Sequence, residues 1–345
     1  MSWRIAINGF GRIGQGVLRA LYQNSELRKS FTIVAINELA DAETIAYLTK
    51  YDTTHGRFSE SVRCNDDTLI VGDDHIRLTH LEGIESLPWK ELDVDVVFEC
   101  TGVHSTREDA QKHINAGAKK VLFSQPASAD IDKTIVFGVN EHTMDINDKI
   151  VSAASCTTNA IVPILCELDQ NIGIESASMT TIHSAMNDQP MIDAYHNKDL
   201  RRTRSAMANM VPVETALDKG IERIVPSFRG KLSTNAMRVP TINVSAIDLT
   251  ALVARDTTPK EINTILRDAC THFKHPIVAY TEEPIASSDF IQDPHSSTVD
   301  GSQTRVTQGR LVKLLVWFDN EWGFANRMLE LADYWCSLNS ETLNT

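Results

Sequence analysis

The chain has 345 residues, 42% of them hydrophobic, with 46 acidic against 33 basic side chains and a formal net charge of −13. That length and apolar content suit two packed domains and exclude general disorder, and the negative balance opposes sequence-independent binding to nucleic-acid phosphates or anionic membranes. No apolar run is long enough to span a bilayer and no basic, apolar leader precedes the first strand pattern, so a cytoplasmic protein is expected; the six scattered cysteines lack C-x-x-C spacing, so neither a disulfide framework nor a metal site is indicated.

Trp3–Asn8 reads as a short apolar strand, and Gly9-Phe10-Gly11-Arg12-Ile13-Gly14 follows at once, opening a helix through Val17, Leu18 and Leu21. This is G-x-G-x-x-G in its required setting: the glycines permit a tight turn and close approach of backbone to a pyrophosphate, while the helix N-terminus supplies the positive end. A second strand, Phe31–Asn37, leads into Glu38, placed where an acid accepts hydrogen bonds from ribose hydroxyls and repels a 2′-phosphate, so NAD is expected in preference to NADP. Strand-like runs at 94–100, 120–124 and 135–139 alternate with helical stretches such as 107–116, the rhythm of a doubly wound parallel sheet. Thr101-Gly102 and Ser124 fall at strand ends, where ligands lie in such sheets; turn chemistry alone also selects residues of this kind.

After a strand at 150–154, Ser155-Cys156-Thr157-Thr158-Asn159 opens a helix with Ile161, Ile164, Leu165 and Leu168. A thiol at a strand-to-helix junction faces unpaired N–H groups and the positive dipole end, which favour thiolate, so Cys156 is the candidate nucleophile with a lowered pKa. Pro163 inside this helix removes a backbone donor and predicts a kink. The strand pattern at 176–182 ends in His183, which is placed to act as base on the thiol or to hold an ion pair with the thiolate. Arg201, Arg202 and Arg204 cluster in a polar loop; Arg238 begins a long strand-like run to Val253, and among apolar neighbours its charge needs a carboxylate or ligand partner. Arg201 and Arg204 read as solvated or subunit-facing. Thr258-Pro259-Lys260-Glu261 is a capping box opening a scaffold helix. Residues 311–318 form an apolar strand that ends at Asp319-Asn320-Glu321, Asn320 being a possible amide partner, before a last helix carrying Phe324, Met328, Leu331 and Trp335.

Together, the stretches 8–14, 154–159, 238–241 and 319–321 resemble the glyceraldehyde-3-phosphate dehydrogenase family over nearly the whole chain. The resemblance implies a Rossmann domain at 1–155 completed by the C-terminal helix 320–345, and an α+β catalytic domain with a mixed sheet at 156–319. It implies NAD as cofactor, a sugar-phosphate substrate and a homotetramer. Cys156 would attack the aldehyde and His183 act as base. Gly9 to Gly14, Glu38, Thr101, Gly102, Ser124 and Asn320 would hold NAD, and Ser155, Thr157, Asp188, Arg202, Thr215 and Arg238 the substrate. Several positions depart from the usual pattern: Glu38 for aspartate, Ala160 for a second cysteine, Met186 for threonine, Ala216 for glycine and Phe324 for tyrosine. With Asp293-Pro294-His295-Ser296, they resemble the branch that oxidises a four-carbon sugar phosphate and feeds pyridoxal phosphate synthesis. Alternatives are the phosphorylating three-carbon enzyme and an NAD-binding thiol redox sensor.

Overall fold

The computed structural model describes residues 2–195, 199–273 and 275–341. They form two compact units, one reaching to Ser155 and taking up the chain again from Phe324, the other comprising Cys156–Gly323.

In the first unit the strands are β1 (Trp3–Asn8), β2 (Phe31–Asn37), the small pair β3 (Tyr51–Asp52) and β4 (Gly56–Arg57), β5 (Val62–Asn65), β6 (Thr68–Val71), β7 (Asp74–Thr79), β8 (Val96–Glu99), β9 (Lys120–Phe123), β10 (Lys133–Thr134) and β11 (Ile150–Ser152). The main sheet runs β10-β11-β9-β8-β1-β2-β7-β6-β5, parallel from β10 to β7 with an antiparallel edge. Helices α1 (Arg12–Gln23), α2 (Leu27–Ser30), α3 (Ala42–Lys50) and α4 (Arg107–Asn115) alternate with these strands, as the doubly wound reading requires. The strands are short and apolar because both faces are covered: Ile5, Ala6, Ile7, Val96, Val97, Phe98, Val121 and Leu122 have no exposed surface. Asp41 caps α3 by accepting from Thr44 N at 2.8 Å, and Thr106 with Asp109 forms a capping box on α4.

The run at 135–139, expected as a strand, is a turn. Asn140 accepts from Val136 N at 2.8 Å and Gly138 lies at φ +87°, so the paired strand ends at Thr134.

In the second unit α5 (Cys156–Ile172), β12 (Ile174–Ser184), β13 (Val211–Val213), α6 (Leu217–Ile224), β14 (Leu232–Val239), β15 (Ser245–Val253), α7 (Pro259–His272), β16 (Val278–Thr281), β17 (Ser297–Thr307), β18 (Leu311–Phe318) and the start of α8 (Trp322–Glu341) follow in turn. The sheet β13-β14-β12-β15-β18-β17-β16 is mixed, with β12/β14 and β16/β17 parallel and the other pairs antiparallel. Helix α5 buries Ile161, Ile164, Leu165 and Leu168, and α7 buries Ile262, Leu266 and Ala269. Truncating one such leucine to alanine typically costs about 2–5 kcal/mol. Thr258 accepts from Glu261 N at 3.2 Å, whereas the Glu261 carboxylate turns to Thr257 and Arg255, so only half of the expected capping box forms.

Helix α5 runs from Cys156 to Ile172 with Pro163 inside it. The expected run from Arg238 to Val253 divides instead: Pro240 supplies no donor, and Val244 sits at φ +64°, a strained value for a β-branched residue, before β15 begins.

Candidate active site

In the first unit, Gly9 takes φ +86°, and a Cβ there would lie 2.6 Å from the backbone of Thr101. A Cβ on Gly14 would meet the Gly9 carbonyl oxygen at 2.4 Å, so the turn and the helix start depend on the two glycines. Gly11, the N-cap of α1, differs: its Cβ direction is open for 4 Å. It offers no side-chain cap, and the first turn of α1 contains no acid. The turn therefore presents a bare helix N-terminus to open space, the arrangement a pyrophosphate fits.

Glu38 lies at the adjoining strand end. Its Oε2 accepts from Phe10 N and its Oε1 from Leu39 N, both at 2.8 Å. Each oxygen keeps a lone pair for a ribose hydroxyl. Arg12 has its guanidinium paired with Asp52, whose carboxyl is held near 2: burial pushes it up, and the Arg12 hydrogen bond together with the His55 backbone N–H outweighs this. Ile13 is half-buried behind the turn. Thr101 is fixed through its N and Oγ1 to Glu99, Gly102 takes φ +74°, and Ser124 N donates to Glu99 O at 3.0 Å. These groups fit a dinucleotide with an unphosphorylated ribose.

In the second unit, Cys156 is the first residue of α5 and His183 the penultimate residue of β12. Cys156 Sγ lies 3.8 Å from His183 Nε2 and 3.9 Å from Thr157 Oγ1. His183 Nδ1 lies 2.9 Å from the Ser184 carbonyl oxygen. A carbonyl only accepts, so this bond, shorter than the 3.3 Å approach of Arg238 Nη1 to the same nitrogen, is met by the tautomer with Nδ1 protonated, which turns the Nε2 lone pair to the thiol. Parallel pairing of β12 with β14 sets Arg238 directly beside His183, and Arg238 Nη1 comes within 3.3 Å of Nδ1.

Burial, then the Arg238 charge, lowers the His183 pKa to about 4. Burial pushes the Cys156 thiol up, against the Thr157 hydroxyl and N–H and the Arg238 charge. This corrects the expectation of a lowered thiol: desolvation outweighs the helix terminus. Both shifts are desolvation effects, and each favours the uncharged form of its own side chain.

Arg202 pairs with Asp188 at 2.9 Å and lies 3.6 Å from Asp199. Asp188 in turn acts electrostatically on Arg238 and His183, so Asp188, Arg202 and Arg238 belong to one charged group beside the thiol. Arg204 pairs with Asp193 and is exposed, as is Arg201. Thr215 is also exposed, and its hydroxyl accepts locally from Leu217 N at 3.2 Å. Ser155 is half-buried immediately before the thiol. Asn320 Oδ1 accepts from Ser184 Oγ at 3.1 Å and from Ser245 Oγ at 2.8 Å. Ser184 and Ser245 were not identifiable from sequence: isolated serines at strand ends carry no motif.

The first unit thus carries a glycine turn suited to a dinucleotide, and the second a cysteine thiol facing a histidine. Residues 3–107 match the glyceraldehyde 3-phosphate dehydrogenase NAD-binding domain, and residues 155–320 match the C-terminal domain of the same enzymes. The chain belongs to the glyceraldehyde-3-phosphate dehydrogenase family. It is an NAD-dependent oxidoreductase for aldehydes of the sugar-phosphate class. Among the described residues no helix is long and apolar enough to cross a membrane, and no cluster of ligating side chains could hold a metal ion.

Proposed function

We propose that the protein oxidises D-erythrose 4-phosphate to 4-phosphoerythronate, supplying pyridoxal phosphate synthesis. The observation that carries this reading is Met186. It stands two residues before Asp188, where the three-carbon enzymes usually have a threonine that helps hold the substrate phosphate, and it is 44% exposed. A thioether contributes no hydrogen bond of useful strength to phosphate. A four-carbon substrate with its aldehyde on Cys156 carries its phosphate farther out, so the loss of that hydroxyl suits it. Ala216 for glycine, Phe324 for tyrosine and the Asp293-Pro294-His295-Ser296 stretch support the same branch.

In this reading the substrate phosphate is bound by Arg238 and Arg202, whose forked guanidinium groups suit it, while Asp188 holds Arg202 in place. Cys156 Sγ attacks the aldehyde carbon while His183 Nε2 takes the thiol proton and returns it to the developing alkoxide, giving a thiohemiacetal. NAD, when bound by the Gly9 to Gly14 turn, Glu38, Thr101, Gly102, Ser124 and Asn320, supplies the hydride acceptor. His183 removes the hydroxyl proton as the hydride departs, leaving a thioester on Cys156. Water then adds to the thioester carbon, the carbon–sulfur bond breaks, and the acid leaves with the thiol restored.

A second reading, phosphorolysis of the thioester, rests on Thr157, Thr215 and Arg202 as ligands for inorganic phosphate. The exposed Met186, Met191, Ile192, Leu200, Met207 and Met210 accord with a subunit contact in a homotetramer. Purified protein, NAD and erythrose 4-phosphate in phosphate-free buffer test the acceptor. Steady NADH formation with 4-phosphoerythronate as product supports hydrolysis, and turnover only on adding phosphate overturns it.

A further inference from the structure

Beneath the glycine turn, the carboxyl ends of four parallel strands are joined through their side chains. Thr79, Asn37, Asn8 and Glu99 close β7, β2, β1 and β8, and the register sets each beside the next. Thr79 Oγ1 donates to Asn37 Oδ1 at 2.9 Å, Asn37 Nδ2 to Asn8 Oδ1 at 2.8 Å, and Asn8 Nδ2 to Glu99 Oε2 at 2.6 Å. From the other side Trp89 Nε1 donates to His113 Nδ1 at 2.9 Å, and His113 Nε2 lies 3.0 Å from the same Glu99 oxygen.

An indole N–H can only donate, so His113 Nδ1 accepts, Nε2 bears the hydrogen, and His113 is neutral. Both chains of donors therefore end on the Glu99 carboxylate. Glu99, His113 and Trp89 are wholly buried, and Asn8 nearly so.

The second oxygen of Glu99 accepts from Thr101 N at 2.9 Å and Thr101 Oγ1 at 2.5 Å. Thr101 is the backbone against which Gly9 packs, at a distance that admits no side chain. Asn8, held by the first oxygen, is the residue that enters the turn, and Gly9 N donates to Asn37 O at 2.9 Å. One carboxylate thus fixes both walls between which the turn is held.

We infer that Glu99 is a positioning residue for dinucleotide binding: its charge, neutralised by converging donors, holds the Gly9–Thr101 contact in the geometry that presents the N-terminus of α1 to a pyrophosphate. The inference deepens the assignment of that turn to NAD and does not depend on which aldehyde is oxidised. An amide in place of the carboxylate must turn an N–H toward one of the two donor groups, so either the Thr101 side or the Asn8 side opens.

The test is binding to the full-length protein without substrate, by titration calorimetry with NAD and with ADP-ribose at a temperature well below each variant's melting midpoint. Glu99→Gln is expected to raise Kd for both ligands at least tenfold. Loss for ADP-ribose, which lacks nicotinamide, locates the effect at the pyrophosphate turn. His113→Phe, which removes the imidazole donor to Glu99 and alters no group placed against NAD, is expected to raise both values about threefold to fivefold; it decides the matter if Glu99→Gln does not fold. Affinities within twofold of wild type, even with a lowered melting point, would make the network purely structural and overturn the inference, as would weakening for NAD alone. Wild-type protein that bound neither ligand would instead remove the turn itself from the cofactor site, and this inference with it.

Discussion

Cys156 Sγ and His183 Nε2 lie 3.8 Å apart although 27 residues separate them in the chain, because the first turn of α5 and the end of β12 converge. The Ser184 carbonyl fixes the imidazole so that its unprotonated nitrogen faces the sulfur. The pair is poised for proton transfer in step with attack.

Removing either partner should have unequal effects. Cys156→Ala is expected to abolish NADH formation while the protein keeps its fold and its affinity for NAD. His183→Asn is expected to lower kcat by the factor of roughly 10² to 10⁴ that general-base help supplies. Circular dichroism and single-turnover kinetics check both; substantial turnover by the Cys156 variant contradicts the covalent route.

The depressed His183 pKa has a consequence for stability. With about 4 in the folded state against an unfolded value near 6.5, the folded protein binds fewer protons between these values. The contribution of His183 is intact above pH 6.5 and is lost as the pH falls from there toward 4, by about 3 kcal/mol if the whole difference is realised. Urea midpoints at pH 7.5, 5.5 and 4.5 should fall more steeply for wild type than for His183→Gln, and parallel declines would contradict a buried neutral imidazole.

Glu38 bonds to Phe10 N as well as standing at the ribose position. Glu38→Ala should therefore weaken NAD binding and at the same time narrow the preference for NAD over NADP, since the repulsion of a 2′-phosphate goes with the carboxylate. Comparing Kd for the two cofactors checks this. Unchanged discrimination removes Glu38 from the ribose site.

The Rossmann unit was legible because its signal is local: Gly9, Gly11 and Gly14 follow a strand directly, and Glu38 closes the next one. The mixed sheet of the second unit was legible as a class for the same reason. What escaped the sequence depends on pairing and burial. That Arg238 would stand beside His183 follows from the parallel register of β12 and β14, which no local pattern encodes. The convergence of Asn8, His113 and Thr101 on Glu99 likewise needs two strand ends and a helix in place. The direction of the Cys156 shift was misread because a helix terminus can be seen in the sequence, whereas the desolvation that outweighs it cannot. Residues 135–139 looked like a strand because apolar alternation is the same whether or not Asn140 closes a turn.

The four-carbon substrate is tested by kcat/KM for erythrose 4-phosphate against glyceraldehyde 3-phosphate, measured with the same protein and saturating NAD, because that ratio compares transition-state binding. At least a tenfold preference for the four-carbon aldehyde is expected, and a preference for glyceraldehyde 3-phosphate would rule out erythrose 4-phosphate as the substrate.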